Sequence, residues 1–161
     1  MDRIVQFLTL FSSLGAGLMA GLFFTFSAFM MSVLAKLPSA QGIATMQSIN
    51  ISILTPLFGF IFSGTALACV ILAIYSFIKW GGAGMGYLLT GSLLYLIGCV
   101  LVTAVFNIPL NDSLAAANPN NAEGVELWNR YVVSWTAWNH VRTFLTLASL
   151  ASFVLAFRKL F

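Results

Sequence analysis

Four long apolar stretches dominate this chain and restrict what it can fold into. They cover approximately Ile4–Leu34, Ile51–Ile78, Gly84–Phe106 and Asn139–Phe157. Each is close to or above the roughly 20 residues that a helix needs to cross the hydrocarbon layer of a membrane. Only 7% of the 161 residues are charged, whereas a soluble domain carries about 25%. We therefore predict an all-α polytopic membrane protein, a four-transmembrane-helix bundle that forms a single domain over residues 1–161.

The placement of basic residues predicts the orientation of the bundle. With four spans, one side of the membrane holds four of them and the other side two: Arg3, Lys79, Arg158 and Lys159 against Lys36 and Arg130. Because lysine and arginine favour the cytoplasmic side, we expect both termini in the cytoplasm. We expect the location to be a bacterial inner (plasma) membrane. The formal net charge of +3 reflects these flanks, so we expect the lipid bilayer as a partner and no nucleic acid.

Small residues recur at helical spacing in three of the stretches. They are Ser13, Gly17, Gly21 and Thr25 in the first, Gly59 and Ser63 in the second, and Gly84, Gly91 and Gly98 in the third. Small residues one turn apart let two helix backbones approach closely in lipid. The pattern predicts close packing inside the bundle, but the same residues would equally serve a homodimer, which the sequence leaves open.

Polar residues collect at one end of the predicted bundle. The chain reverses at each span, so the end of the first, the start of the second, the end of the third and the start of the fourth share one leaflet. Asparagines mark these positions, together with a histidine and an arginine: Asn50, Asn107, Asn111, Asn139, His140 and Arg142. Each asparagine alone is often a helix cap. A short interfacial helix is predicted over Ser39 to Ile49, and a turn-rich connection over Asp112 to Glu126.

The segment from Trp128 to Arg142 provides most of these polar and aromatic groups. At 100° per residue, five of its side chains fall within less than a third of the helix circumference: Trp128, Tyr131, Trp135, Asn139 and Arg142. His140 lies about 160° from Arg142 on a straight helix. The tryptophans have a second interpretation, because aromatic residues also line membrane interfaces.

Arg142 is the most unusual residue of this segment. If Arg158 marks the membrane boundary, sixteen residues of helix place Arg142 about 24 Å away, roughly 6 Å inside an apolar layer of ~30 Å. An arginine at that depth costs at least about 2 kcal/mol unless it extends to the interface or finds partners inside the bundle. Its position on the face of Asn139 and Trp135 favours the wall of a pocket.

The residue inventory excludes several kinds of site. A lone histidine makes no standard zinc or copper site. Cys69 and Cys99 differ in depth by roughly 15 Å in adjacent spans, so they suit neither a metal site nor a disulfide. Acidic residues are absent from the apolar stretches. We therefore predict no metal and no cofactor, and any chemistry must use His, Arg, Asn, Trp and Tyr.

Four motifs, spread over nearly the whole chain, resemble a known family. They are Gly15-Ala16-Gly17 with Phe23-Phe24-Thr25-Phe26-Ser27, then Met46-Gln47-Ser48-Ile49-Asn50, then Asn107-Ile108-Pro109-Leu110-Asn111, and finally Trp128, Tyr131 and Trp135 with Trp138-Asn139-His140-Val141-Arg142-Thr143. The chain is similar to small membrane proteins grouped as anthrone oxygenase-like. The resemblance implies oxidation of an anthrone to an anthraquinone by molecular oxygen, with no evident metal or flavin.

On this basis we expect a cofactor-independent oxygenase of anthrone-like polycyclic phenols. The expected catalytic residues are His140, as general base, and Arg142, which would stabilise the anthrolate oxygen and the peroxide. The expected substrate-binding residues are Asn50, Asn107, Asn111, Tyr131, Trp135 and Asn139. Because His140 and Arg142 point apart on a straight helix, either the helix is distorted there or the base is another group. The alternative is a non-catalytic protein that binds a lipid, a quinone-like molecule or a partner subunit.

Overall fold

Five helices account for the architecture of this protein, whose computed structural model describes residues 3–161. They are α1 Arg3–Ala35, α2 Ser39–Ser52, α3 Pro56–Ile78, α4 Met85–Ala115 and α5 Ala122–Leu160. All except α2 are long and apolar enough to cross a membrane. The prediction of an all-α bundle with four membrane-spanning helices is confirmed.

The four long helices form a ring in which sequence neighbours pack side by side and α5 closes against α1. Apolar side chains fill the ring, including Met19, Leu72, Leu88, Tyr95 and Phe153, each at most 4% exposed. α2 covers one end of the ring, where it contacts α5 and the last turns of α1 and α4.

Glycines set the distance between α4 and α5. A Cβ atom added to Gly91 would lie 3.1 Å from the Phe153 ring, and one added to Gly98 would overlap Leu145. Gly84, in a left-handed conformation at φ 79°, lies against Leu160 in the same way. The seven-residue glycine spacing in α4 therefore marks the face that packs on α5, as expected for packing inside the bundle.

Some glycines of α1 and α3 lie at a helix contact and others do not. Gly15 lies directly against Thr65 of α3, so its missing side chain permits a close crossing. A Cβ atom at Gly21 or Gly59 would meet nothing within 4 Å. The expectation that Gly59 and Ser63 pack within the bundle is wrong, because both are exposed.

The helix boundaries differ from the apolar stretches at the end that α2 covers. α4 continues to Ala115 and α5 already begins at Ala122, so the predicted Asp112 to Glu126 connection shrinks to residues 116–121. Helix α5 starts where the Asn121 side chain accepts a hydrogen bond from the Gly124 backbone N–H at 2.8 Å. The polar residues were mistaken for helix ends because they face the bundle interior, where hydropathy does not mark a boundary.

The start of the second span also needs correction. Asn50 belongs to α2, and α3 begins six residues later at Pro56. Proline suits the first turn because its missing N–H would have no helical partner there. The Thr55 hydroxyl oxygen accepts from the Phe58 N–H at 3.2 Å and caps the helix. This break separates α2 from α3, which is long and apolar enough to cross a membrane.

Wide π-helical turns interrupt α1 and α4 near the same end. They cover Phe26–Met30 in α1, and Leu96–Leu101 and Thr103–Asn107 in α4. A π-turn inserts extra backbone into a helix and is frequent at functional sites. In this bundle the turns lie where α1 and α4 pass the polar segment of α5.

Candidate functional site

A cavity of about 430 Å³ lies at the end of the bundle that α2 covers. All five helices contribute to its wall, which is mainly apolar. Its polar groups come from seven residues: Asn50, Thr55, Ser63, Thr103, Asn111, Trp135 and Arg142. Four of the eight predicted site residues are thus brought to one cavity, namely Asn50, Asn111, Trp135 and Arg142.

Arg142 carries the charge in this wall, and only 6% of the residue is exposed. One terminal nitrogen donates to the Thr103 hydroxyl at 3.1 Å, and the other donates to the side-chain amide oxygen of Asn139 at 2.6 Å. The guanidinium carbon lies 4.1 Å from the centre of the Phe23 ring and 5.2 Å from that of Trp135. The Nε–H has no hydrogen-bond partner.

No carboxylate among residues 3–161 neutralises Arg142. The ion pair found in that range joins Glu126 and Arg130 at 3.3 Å on the exposed surface of α5. Asp112 and Glu123 are exposed as well. A buried cation whose partners are neutral dipoles and aromatic rings creates a positive potential in an apolar cavity. The site therefore favours an anionic ligand, or one that becomes anionic when bound.

Asn139 holds Arg142 in place and fastens α5 to α1. Its amide nitrogen donates to the Phe23 carbonyl at 2.7 Å and to the Ser27 hydroxyl at 2.8 Å, while its oxygen accepts from Arg142. Ser27 in turn lies 3.1 Å from the Thr143 hydroxyl. Asn139 is fully buried and does not line the cavity, so it positions Arg142 and does not meet the ligand.

A second polar group forms around Asn111, which contacts the N–H edge of the Trp135 indole. The Asn111 carbonyl oxygen accepts from the Tyr131 hydroxyl and from the Trp135 indole N–H, each at 2.9 Å. Because that oxygen is engaged twice, the orientation of the amide is fixed. Asn50 lines the same cavity from α2. The cavity wall thus carries one guanidinium and two amides.

Two predicted substrate-binding residues lie behind the wall. Tyr131 is 2% exposed, stacks between Trp128 and Trp135, and orients Asn111. Asn107 is fully buried, and its amide donates weakly to the Trp135 carbonyl at 3.4 Å, while its own oxygen has no partner. Neither lines the cavity, so the structure gives both supporting positions.

Comparison with known proteins gives one match. A family model described as anthrone oxygenase matches residues 56–152, which include α3, α4 and most of α5. The chain belongs to the anthrone oxygenase family. No curated protein and no solved structure matches it. The matched segment contains Thr103, Asn111, Trp135 and Arg142, so most polar groups of the cavity lie within it.

His140 is not brought to this cavity. Its side chain is exposed on the outer face of α5, and the helix is regular from Ala122 to Leu160. A distortion that would turn His140 towards Arg142 is therefore absent, and the 200° of rotation between the two residues separates them. The structure gives His140 no contact with the cavity in which Arg142 lies.

The remaining tryptophans of α5 divide between core and surface. Trp128 is 2% exposed and lies under α2, where a Cβ atom on Gly42 would come within 2.8 Å of its ring. Trp138 is half-buried and stacks on Phe106 at a ring separation of 3.5 Å. The interpretation as an interfacial belt does not fit Trp128, because α2 shields it.

Sequence reasoning missed Thr103 and Phe23, which contact Arg142 from α4 and α1. Both lie within continuous apolar stretches, where a threonine or phenylalanine carries no periodic signal. The residues of the described chain bring no three His, Cys, Asp or Glu side chains together. The groups that face the cavity are therefore one guanidinium, two amides, three hydroxyls, an indole and apolar side chains.

Proposed function

We propose that the protein is a membrane oxygenase that binds planar anthrone-type ketones, stabilises their anion at Arg142, and lets that anion react with molecular oxygen. One observation carries the proposal. A member of the anthrone oxygenase family holds an unneutralised, nine-tenths buried arginine in the wall of an apolar cavity of about 430 Å³.

The first step is loss of a proton from the CH₂ group between the two aryl rings. The electron pair of that C–H bond moves into the rings and onto the ketone oxygen, giving an anthrolate. Arg142 pairs with this oxygen in a medium of low dielectric constant, where such pairing is strong. Since no His, Asp, Glu or Lys lines the cavity, we assign the proton to water.

The second step transfers an electron from the anthrolate to O₂, and the two radicals combine to form a C–O bond at the former CH₂ carbon. Protonation of the resulting peroxide gives a hydroperoxide. Loss of the remaining C–H proton and cleavage of the O–O bond expel hydroxide and leave a carbonyl. The sum is anthrone plus O₂ to anthraquinone plus water, in which the ring carbon is oxidised and dioxygen is reduced.

We assign the guanidinium and the two amides to the two oxygen-bearing edges of the bound ligand. With the anthrolate oxygen at Arg142, the reacting carbon faces Asn50 and Asn111, whose amides can donate to the peroxide and then to the new carbonyl. The rings lie along Trp135, Phe23 and Phe26, which line the cavity. Flat aromatic surfaces contribute most when they pack offset or edge to face.

A second candidate function is binding without turnover. The absence of a histidine or carboxylate from the cavity wall favours it, since proton abstraction is usually assisted by such a group. On this alternative the cavity holds a quinone-like or other anionic molecule, and Arg142 provides affinity alone.

Oxygen uptake distinguishes the two functions. Purified protein in detergent is mixed with emodin anthrone, and uptake above the spontaneous rate is compared for the wild type, Arg142→Gln and Arg130→Gln. We expect Arg142→Gln to lose at least about a hundredfold of the enzymatic rate, or roughly 2.7 kcal/mol of barrier. Arg130 is exposed on the same helix, so its variant serves as the matched control and keeps the wild-type rate.

His140→Ala separates the structure-based assignment from the sequence-based one. We expect it to retain uptake, because His140 does not reach the cavity; loss of uptake in this variant alone would return the role of base to His140. Wild-type uptake at the spontaneous rate, with emodin anthrone still bound, would favour the binding protein.

A further inference from the structure

The exposed part of the cavity wall is confined to one side of the bundle. The lining residues that remain exposed are Leu54, Thr55, Gly59, Ser63 and Ile108. The first two belong to the turn before α3, the next two to α3, and the last to α4. Lining residues from α1, α2 and α5 are buried or half-buried. The opening therefore lies between α3 and α4.

The local geometry of α3 creates this opening. Thr55, Gly59 and Ser63 follow one another at four-residue intervals, so they form a stripe about 12 Å long on one face. The Tyr95 hydroxyl donates to the Phe62 carbonyl at 3.2 Å, which marks where α3 meets α4. At Gly59 the helix has no side chain, and nothing lies within 4 Å of the place where a Cβ would be.

The opening lies within the membrane-spanning part of the chain. Gly59 and Ser63 are three and seven residues into α3, about 4 and 10 Å along its axis, and α3 is one of the four helices that can cross a membrane. The rim is built of Leu54, Ile108 and two hydroxyl groups. A passage with this rim, on helices that can cross a membrane, would open towards lipid.

The wall of the cavity behind the opening contains a buried cation. Arg142 is 6% exposed, and its Nε–H makes no hydrogen bond. A small-residue stripe on a helix usually packs against another helix. In this protein it borders a cavity with an unneutralised cation instead, which indicates passage of a ligand.

We propose that the gap between α3 and α4, bounded by Leu54, Thr55, Gly59, Ser63 and Ile108, is a lateral portal through which a neutral, lipid-dissolved planar aromatic ketone or phenol enters from the bilayer. The ligand loses its proton only inside, beside Arg142, because moving an anion through the apolar rim is costly. Conjugates with a strongly polar sugar, or with a sulfate or another fixed charge, are excluded. The ligand's identity rests on the proposed function; the portal rests on the geometry.

Photolabelling tests the portal without any need for specific binding. The full chain is placed in lipid nanodiscs that contain a small apolar aryl diazirine, illuminated, and mapped by peptide mass spectrometry. We expect carbene adducts on Leu22 and Met46, which line the inner wall on α1 and α2, besides those on the lipid-facing Leu18 and Phe24. Gly59→Trp should lower the inner-wall adducts at least fivefold and leave the outer ones unchanged.

Gly86→Trp is the matched control, because Gly86 is an exposed glycine of α4 with nothing within 4 Å of its Cβ position and no place in the cavity wall. It should label like the wild type. Inner-wall adducts that are absent from the wild type, or unchanged in Gly59→Trp, would overturn the portal. If the labelling contradicts the portal while emodin anthrone is still oxidised, the proposed function stays intact. If the labelling supports the portal but emodin anthrone is not oxidised, only the oxygenase is rejected.

Discussion

At the scale of the single residue, the proposed function depends on Arg142. Its charge is held by Asn139, Thr103 and two aromatic rings, none of which can neutralise it. Removing one member of a buried polar network leaves the others unpaired, at about 1–3 kcal/mol per group. The protein thus keeps a desolvated cation in the cavity wall. An anion in the cavity would lower the free energy of this buried charge.

Asn111 offers a test of how the amide groups in the cavity wall affect ligand binding. Asn111→Asp keeps an oxygen that accepts from Tyr131 and Trp135 but adds a negative charge to the cavity wall. We expect emodin anthrone to bind at least about tenfold more weakly, or 1.4 kcal/mol, because the bound anion then meets a like charge. Affinity for neutral anthracene should stay the same, and both are measured by quenching of tryptophan fluorescence under anaerobic conditions. Equal weakening for both ligands would indicate a collapsed cavity and contradict the assigned polarity.

At the scale of the helix, regular α5 explains why some of the site was predictable. The 3.6-residue period places Tyr131, Trp135, Asn139 and Arg142 on one face, and the structure buries all four. The same period places His140 on a different face of α5 from Arg142, although the two residues are close in sequence. Partners from α1 and α4 could not be predicted, because they depend on π-turns and on helix pairing that no local pattern encodes.

Helix boundaries near the site were also beyond prediction from hydropathy. The apolar stretches gave the number of spans, since each span must be long and apolar to cross the membrane. They gave the wrong ends, because inward-facing polar residues such as Asn107 and Asn111 lower hydropathy without ending a helix. Thr55 and Pro56 can be identified as the cap and the first-turn proline of α3 only once α2 is recognised as a separate helix.

Glycine packing between α4 and α5 leads to a prediction about stability. Gly98→Leu places a branched side chain where a Cβ would already overlap Leu145, and overpacking of this kind costs typically about 1–3 kcal/mol or more. Gly86→Leu, on the same helix but in open space, should stay within about 0.5 kcal/mol of the wild type. Thermal unfolding in detergent measures the difference; equal midpoints for the two variants would contradict the tight α4–α5 contact.

At the scale of the whole molecule, the two ends of the four-helix ring differ in structure. One end is filled by the apolar core and carries the basic residues Arg3, Lys79 and Arg158. The other end is widened by π-turns and covered by α2, and it holds the cavity.

The position of these ends across the membrane remains a prediction. Because basic residues favour the cytoplasm, we expect both termini there and the cavity near the opposite face. Reporter fusions at the C-terminus check this: green fluorescent protein should fluoresce, and alkaline phosphatase should be inactive. The opposite pair of results would invert the molecule and place the cavity near the cytoplasm.

The most direct measurement of the central claim is the acidity of a bound ligand. Unsubstituted anthrone, which has no phenol to confuse the titration, is bound anaerobically to the wild type and to Arg142→Gln, and its anion is followed by absorbance as pH rises. If the buried charge of Arg142 stabilises the anthrolate, the apparent pKa of bound anthrone falls by at least about one unit in the wild type relative to the variant, which corresponds to 1.36 kcal/mol. Equal pKa values in the two proteins would show that Arg142 does not stabilise the anion and would contradict the account.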